Sequence, residues 1–359
     1  MLKTLSSSPQ LGMLTLSPHL KQSVLIHCSQ LINANADENP DLFQALKGGS
    51  GANFGIVTKF DMFAFEAGNL WGGTATYNKT ETPKLIDSYV KWTDNVANYP
   101  DGSSIIFWSY LPAMKDIVVL AAYEDTMGNE APAGFDNFMA IPRIGDTLRV
   151  DSHKALTDEL EQATGYRDIW FTMTFNNDAE IFTKIVELNE AFVNEWKATA
   201  DPDFITQCMF QAIPTVFSKH SVERGGNVLG LDKVEKNSIM LLFDIAVKTA
   251  EEEAIARPLL ASYGAQMQKF AASKNGLVDW QFMNYADREQ DPLASYGSDN
   301  VEKIRAAARK FDPQGIFQTK APGGFKISRV GTEAGAGVET RALFGNAADA
   351  EAVANLSNL

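Results

Sequence analysis

Cysteine is almost absent from this 359-residue sequence. Cys28 and Cys208 are the only two, too few for a disulfide framework, and no Cys-x-x-Cys or Cys/His cluster points to structural zinc. Histidine is scarce as well, at positions 19, 27, 153 and 220, and no two form a metal-ligand pair, so no metal site is expected. Basic residues are outnumbered, 31 Lys plus Arg against 45 Asp plus Glu, for a net charge of −14. With no compensating basic block, neither nucleic acid nor an anionic membrane surface is a natural partner. No window approaches the ~20 consecutive apolar residues needed to span a bilayer. Near the N-terminus, Ser6-Ser7-Ser8-Pro9 interrupts the apolar run a secretory signal would need. What remains is ordinary globular composition, 45% hydrophobic and 21% charged, in a chain long enough for two domains.

Two stretches share one coarse order: strand, amphipathic helix, then two strands. In the first, 71–77 reads as a strand, and Thr82-Pro83 supplies a helix N-cap and first-turn proline. Leu85, Tyr89, Trp92 and Val96 then recur on one helical face, followed by strands at 104–110 and 117–123. In the second, 169–175 alternates, with Phe171, Met173 and Phe175 on one side and Thr172 and Thr174 on the other. Asn177 with Glu180 predicts a capping box, and Ile181, Ile185, Leu188, Phe192 and Trp196 form the helical stripe behind it. Strands at 204–213 and 239–246 follow, and Thr249 with Glu252 opens a further helix that Pro258 should kink or restart.

This order predicts an α+β protein whose antiparallel sheet is covered on one face by helices. The other face is left for a ligand. Thr172, Thr174, Gln207, Gln211 and Asp244 are its candidate polar residues, either substrate contacts or ordinary solvent-facing positions.

Between 33 and 65 the character changes. Asn39-Pro40-Asp41 predicts a short helix through Phe43 and Leu46, ending in a segment with glycines at 48, 49, 51 and 55 and followed by a strand over 56–65. Such glycines let a backbone approach a ligand closely. The segment is neither a Walker loop, since no Gly-Lys-Ser/Thr follows, nor a good dinucleotide fingerprint, since it runs from helix into strand. Spacing alone makes it a helix C-cap and turn.

The run 35–58, ending Leu46-Lys47-Gly48-Gly49-Ser50-Gly51-Ala52-Asn53-Phe54-Gly55-Ile56-Val57-Thr58, closely resembles the FAD-linked oxidases of the berberine-bridge-enzyme-like family, fungal members especially. A second match lies far downstream. Met283-Asn284-Tyr285-Ala286-Asp287, Gln290-Asp291-Pro292, Ser295-Tyr296-Gly297, Phe311-Asp312-Pro313, Gly315-Ile316-Phe317-Gln318 and Pro322-Gly323-Gly324-Phe325-Lys326 resemble that family's C-terminal signature in the same order.

The resemblance implies a substrate domain over 66–278, flanked by parts of an FAD-binding α+β domain at 31–65 and 279–328, with a divergent segment at 1–30 and a flexible tail at 329–359. By matching position it implies flavin-lining roles for Gly49, Asn53, Gly55, Ile56 and Val57, with Asn284 and Tyr285 arriving from the C-terminal side. Tyr285 could instead be a packed core tyrosine whose hydroxyl has found a partner. The implied reaction is oxidation of a small organic substrate, with secondary metabolism as one setting, by hydride loss to FAD, with O2 as the usual final acceptor. Several plant relatives place a tyrosine where this chain has Phe282, which exchanges no proton. A general base would then come from elsewhere, with Tyr285 and Asp244 as the candidates.

The sequence departs from the family at its front. Only about 34 residues precede Asn35, and none resembles the family's pyrophosphate loop or its flavin-linking histidine. His27 and Cys28 lie at the wrong place for that linkage. The expectations are a shortened FAD half, an uncovered apolar surface including Phe54, Ile56 and Val57, and weak or absent FAD binding. A flavin-free binding or cyclisation scaffold and a nonfunctional fragment are the alternatives. Asn78-Lys79-Thr80 and Asn355-Leu356-Ser357 are possible glycosylation sequons and leave localisation open.

Overall fold

Alternating apolar side chains commit the middle of the chain to strands, and 3.6-residue stripes commit the segments between them to helices. The computed structural model describes residues 21–26, 30–50, 53–62, 68–199, 203–321 and 323–331. In chain order its elements are β1 (Lys21–Ile26), β2 (Gln30–Ala34), α1 (Pro40–Leu46), β3 (Ile56–Asp61), β4 (Leu70–Tyr77), α2 (Thr82–Asn95), β5 (Gly102–Leu111), β6 (Asp116–Asp125), α3 (Asp136–Met139), β7 (Gly145–Asp146), β8 (Arg149–Asp151) and α4 (His153–Asp158). Then follow β9 (Arg167–Asn176), α5 (Ala179–Thr199), β10 (Ile205–Ile213), α6 (Thr215–Glu223), β11 (Ser238–Val247), α7 (Ala250–Ser273), β12 (Leu277–Val278), α8 (Ser298–Phe311) and α9 (Ile316–Thr319).

Nine strands form one antiparallel sheet in the order β12-β9-β11-β10-β5-β6-β4-β7, with β8 also on β4. The repeated units β4-α2-β5-β6 and β9-α5-β10-β11 are those the periodicity predicts. One face carries Ile169, Phe171, Met173 and Phe175 of β9 with Leu241, Phe243 and Ile245 of β11, all packed against α2, α5 and α7. Tyr89, Trp92, Ile185, Phe192, Trp196 and Leu260 are the helix side chains that seal it. Burying each such side chain contributes roughly 1.5–3 kcal/mol.

Local details differ from the sequence reading in three places. Asp178, not Asn177, caps α5, its carboxylate accepting from the Glu180 and Ile181 amides, while Asn177 donates to the Val90 carbonyl. Thr82 lies inside α2 and accepts from the Trp108 indole at 2.8 Å. α7 runs unbroken through Pro258, so of the expected kink or restart the restart does not occur; Ala256, Leu259 and Leu260 around it are all buried. The Thr249–Glu252 capping box is present as predicted.

The opposite face of the sheet is covered as well, and by chain rather than solvent. Trp280, Tyr285, Leu293 and Tyr296 lie in one apolar cluster with Met209, Met240 and Leu242 of the sheet, with Leu42, Phe43 and Phe54 from the segment around α1, and with Val301 and Ile304 of α8. The three-stranded sheet β2-β1-β3 adjoins this cluster through Val24. Its outer row pairs Leu31 with Leu25 and Leu25 with Ile56, and Leu31, Ile56, Phe60 and Met62 are 51–65% exposed. Phe54 corrects the expected open patch: it is fully buried, so the exposed apolar surface begins at Ile56. β3 ends at Asp61, and positions 63–65 of the predicted strand lie outside the described residues. In the expected tail, Val330 is buried and accepts from Arg305, whereas 332–359 lie outside the described residues.

Asn53 fastens the early segment to the late one. Its amide nitrogen donates to the Gly49 and Phe325 carbonyls, both at 2.9 Å, and its side-chain oxygen accepts from the Ile327 amide at 3.0 Å and from Gln318 at 3.1 Å. The residue is wholly buried, so replacing it would leave several polar groups unpaired out of water. Asn53→Ala is expected to destabilise the chain by about 3 kcal/mol, read as a lowered urea midpoint. A loss below about 1 kcal/mol would show that the staple carries no weight.

Candidate flavin and substrate site

The glycine segment follows α1, where Gly48 takes φ +120° and packs under Leu229. Gly49 and Gly55 are explained by internal approach: a Cβ would stand 2.5 Å from the Ala45 carbonyl oxygen at the first and 2.7 Å from that of Leu25 at the second. Neither glycine opens a cradle to a ligand, and the Asn53 amide is consumed by the staple. Among the expected flavin-lining residues, Ile56 and Asn284 have open side chains and Val57 a half-buried one. Gly51 lies outside the described residues. Lys47, which sequence reading passed over, directly precedes the glycines with its ammonium 4.4 Å from the Phe43 ring centre. Burial lowers its pKa to about 8.

The polar residues expected on the second sheet face do lie there, but they are not solvated. Thr172 and Thr174 are fully buried and Asp244 is 5% exposed, while Gln207 and Gln211 are half-buried. Cross-strand pairing puts Asp244 between Trp170 and Gln207, and Met240 between Thr174 and Gln211. Tyr285 lies over them. Its ring meets Trp170 and Phe282 edge-on at 5.6 and 5.0 Å, and it is 1% exposed. The ring is therefore a core ring, yet its hydroxyl has no hydrogen-bond partner, and the same is true of Thr174 Oγ1, Gln211 Oε1 and Asp244 Oδ1. They are four of the thirteen buried side-chain polar atoms without partners among the described residues, and they share one face.

The charge states follow from burial. Asp244 is pushed well above the usual carboxylate range, first by desolvation and then by the neighbouring Asp168 charge. Tyr285 is raised by desolvation, opposed in small part by the nearby Gln211 amide. Burial thus favours the protonated form of both groups. At one end of this face an open pocket of about 380 Å³ is lined by Asp168, Trp170, Arg257, Ala286, Asp287 and Arg288. Arg257, from α7, is held by Glu253 and Asp287, which ties the C-terminal return to the helix layer. Asp168, Trp170 and the Arg257–Asp287 pair were not singled out in the sequence; the strand alternation that marks Thr172 and Thr174 also puts Asp168 and Trp170 on their face.

The fold is shared with solved structures of oxidases and flavoproteins. The chain aligns with 6-hydroxy-D-nicotine oxidase from Arthrobacter nicotinovorans at a TM-score of 0.63 and 15% identity, covering 83% of this chain and 64% of that one. It aligns with the berberine-bridge-enzyme-like protein 1 of Physcomitrella patens at a TM-score of 0.59 and 15% identity, over 84% and 64%. By sequence it is a homologue of fungal proteins: it is 36% identical over 311 residues to the FAD-dependent monooxygenase drtC of Aspergillus calidoustus, covering 86% of this chain and 59% of the relative. With the FAD-dependent monooxygenase sdcF of Emericella nidulans it is 35% identical over 309 residues, covering 85% and 64%. The chain thus spans about three fifths of the length of these relatives. No family model matches it. Among the described residues no helix is long and apolar enough to cross a membrane.

The buried carboxyl of Asp244 gives a pH test. Its folded-state pKa lies above the ordinary 3.8, so as pH rises past that value the unfolded chain releases this proton while the folded chain keeps it. Its contribution to stability is therefore complete at low pH and is lost progressively until pH passes the folded-state value, each unit of displacement amounting to about 1.4 kcal/mol. Asp244→Asn should flatten that decline and raise the urea midpoint at neutral pH. Equal pH dependence in both proteins would contradict the assignment.

Proposed function

We propose that this chain provides the substrate-facing sheet and one wall of the flavin site of an FAD-dependent oxidoreductase, which oxidises a small organic substrate of fungal secondary metabolism. The observation that carries the reading is Tyr285, buried on the second sheet face with an unpaired hydroxyl among Trp170, Gln211 and Asp244, in a homologue of FAD-dependent monooxygenases. FAD, when bound, accepts the hydride, and O2 is the proposed final acceptor. The residues here do the rest. Ile56 and Asn284 offer open side chains to the flavin, while Gly49, Asn53, Gly55 and Val57 shape that wall from within through backbone approach, the staple and packing.

Tyr285 and Asp244 are the proposed catalytic pair. Burial favours their protonated forms, in which they are hydrogen-bond donors toward a substrate oxygen. The substrate domain at 66–278 and the flavin-facing parts at 31–65 and 279–328 are part of the same proposal.

Titration of FAD fluorescence with the purified chain tests the reading. A weak, saturable quench is expected, with a dissociation constant of about 10 μM or higher. Ile56→Asp changes an exposed position, keeps the core, and should weaken that quench at least about tenfold, a loss of roughly 1.4 kcal/mol. Quenching indifferent to Ile56→Asp would move the cofactor elsewhere, and no quenching at all would favour the flavin-free scaffold.

A further inference from the structure

We propose that Gln290 is a positioning residue of this site: its carboxamide takes the place of a missing strand at the edge of β9 and thereby fixes where Tyr285 meets the sheet. The proposal rests on the reading of Tyr285 as a functional group.

β12 pairs with β9 only through Leu277 opposite Phe175 and Val278 opposite Thr174. The chain then leaves the edge. The next outward-facing slot belongs to Thr172, whose backbone amide and carbonyl point away from β11 and would be buried without partners. Gln290 fills that slot. Its Nε2 donates to the Thr172 carbonyl at 2.8 Å, and its Oε1 accepts from the Thr172 amide at 3.0 Å. This is the exchange of two bonds by which one strand residue pairs with another across an antiparallel ladder. The same Oε1 accepts from the Asp287 amide at 3.1 Å, and the Gln290 amide donates back to the Asp287 carbonyl at 2.9 Å.

The turn 287–290 is thus closed on itself and fastened to the sheet. Two residues before it stands Tyr285, and two residues before Thr172 stands Trp170, against which the Tyr285 ring packs. Amide and ring grip the same stretch of β9. The Tyr285 hydroxyl makes no hydrogen bond of normal geometry and has only the Gln211 amide near it, so that end of the side chain is weakly held. Its position comes from ring packing and from the backbone that Gln290 anchors. Gln290 is 6% exposed; Asp287, Arg288, Glu289 and Asp291 are the charged groups along its own turn, Arg257 and Glu253 face it from α7, and Asp168 from β9.

Gln290→Glu gives a conditional test. Protonated, the carboxyl can donate to the Thr172 carbonyl and accept from its amide, reproducing the carboxamide. Ionised, it sets an acceptor against an acceptor in a buried site. The urea midpoint of this variant should lie nearest that of the native chain at about pH 4 and fall progressively below it by about pH 8. A second readout reports on Tyr285 itself. In the native chain its hydroxyl should not titrate near the ordinary 10, and Gln290→Ala should add one tyrosine to those ionising in that range by absorbance. The extra tyrosine should be missing from the Gln290→Ala/Tyr285→Phe double variant, a signature that simple loss of stability would not give.

An unchanged tyrosine count in a folded Gln290→Ala chain would overturn the proposal, as would a Gln290→Glu midpoint that tracks the native one at both pH values. If Gln290→Ala fails to fold, the Gln290→Glu comparison decides. Neither readout needs flavin, so a chain that shows both but binds no FAD would keep the clamp and lose only the proposed reaction.

Discussion

A strand with apolar side chains on both faces has to be covered on both, and β11, buried at all ten of its positions, is where this demand is most severe. Helices α5 and α7 meet it on one side. On the other side no helix follows in the local repeat, and the cover comes from a segment more than thirty residues downstream, the return through Trp280, Tyr285, Leu293 and Tyr296. The same return is stapled by Asn53 to the early glycine segment, so one packing requirement brings together the two ends of the described chain and the middle of its sheet.

That cover is apolar in outline but not in detail. Thr174, Gln211, Asp244 and Tyr285 each keep a buried polar atom without a partner, and leaving such a group unsatisfied costs about 1–3 kcal/mol. Elsewhere the pattern is mixed: Asp125 accepts from the Met127 and Asn129 amides and from Tyr99, and Asn53 uses its whole carboxamide, whereas Trp92 Nε1, Asn189 Oδ1 and Trp196 Nε1 in the helix-covered core are without partners. What distinguishes this face is the gathering of four such atoms, three on neighbouring strands and one on Tyr285 above them, with an open pocket at one end.

Much of the architecture was legible because it rests on local periodicity. The stripe from Ile181 to Trp196 and the alternation of Phe171, Met173 and Phe175 each specify an element and its buried face without reference to the rest of the chain. Caps were legible to within a residue: both Asn177 and Asp178 can cap, and Asn177 instead donates to the Val90 carbonyl. Contacts that cross the fold were not legible. The Gln290 clamp joins residues 118 apart in sequence, and the Asn53 staple joins residues more than 260 apart. Neither leaves a pattern in a window of any practical length. The sheet face was assigned correctly by alternation, but its solvation was not, because alternation says which way a side chain points and not what lies over it.

The central claim is that the segment 279–296 is a structural layer of the sheet and not a surface loop. Amide hydrogen exchange measures this directly. The account predicts that the amides of Thr172, Asp287 and Gln290 exchange together, in one cooperative unit with those of β11, through openings close in free energy to global unfolding. Exchange of the Asp287 and Gln290 amides at rates typical of an exposed loop, with β11 still protected, would contradict it.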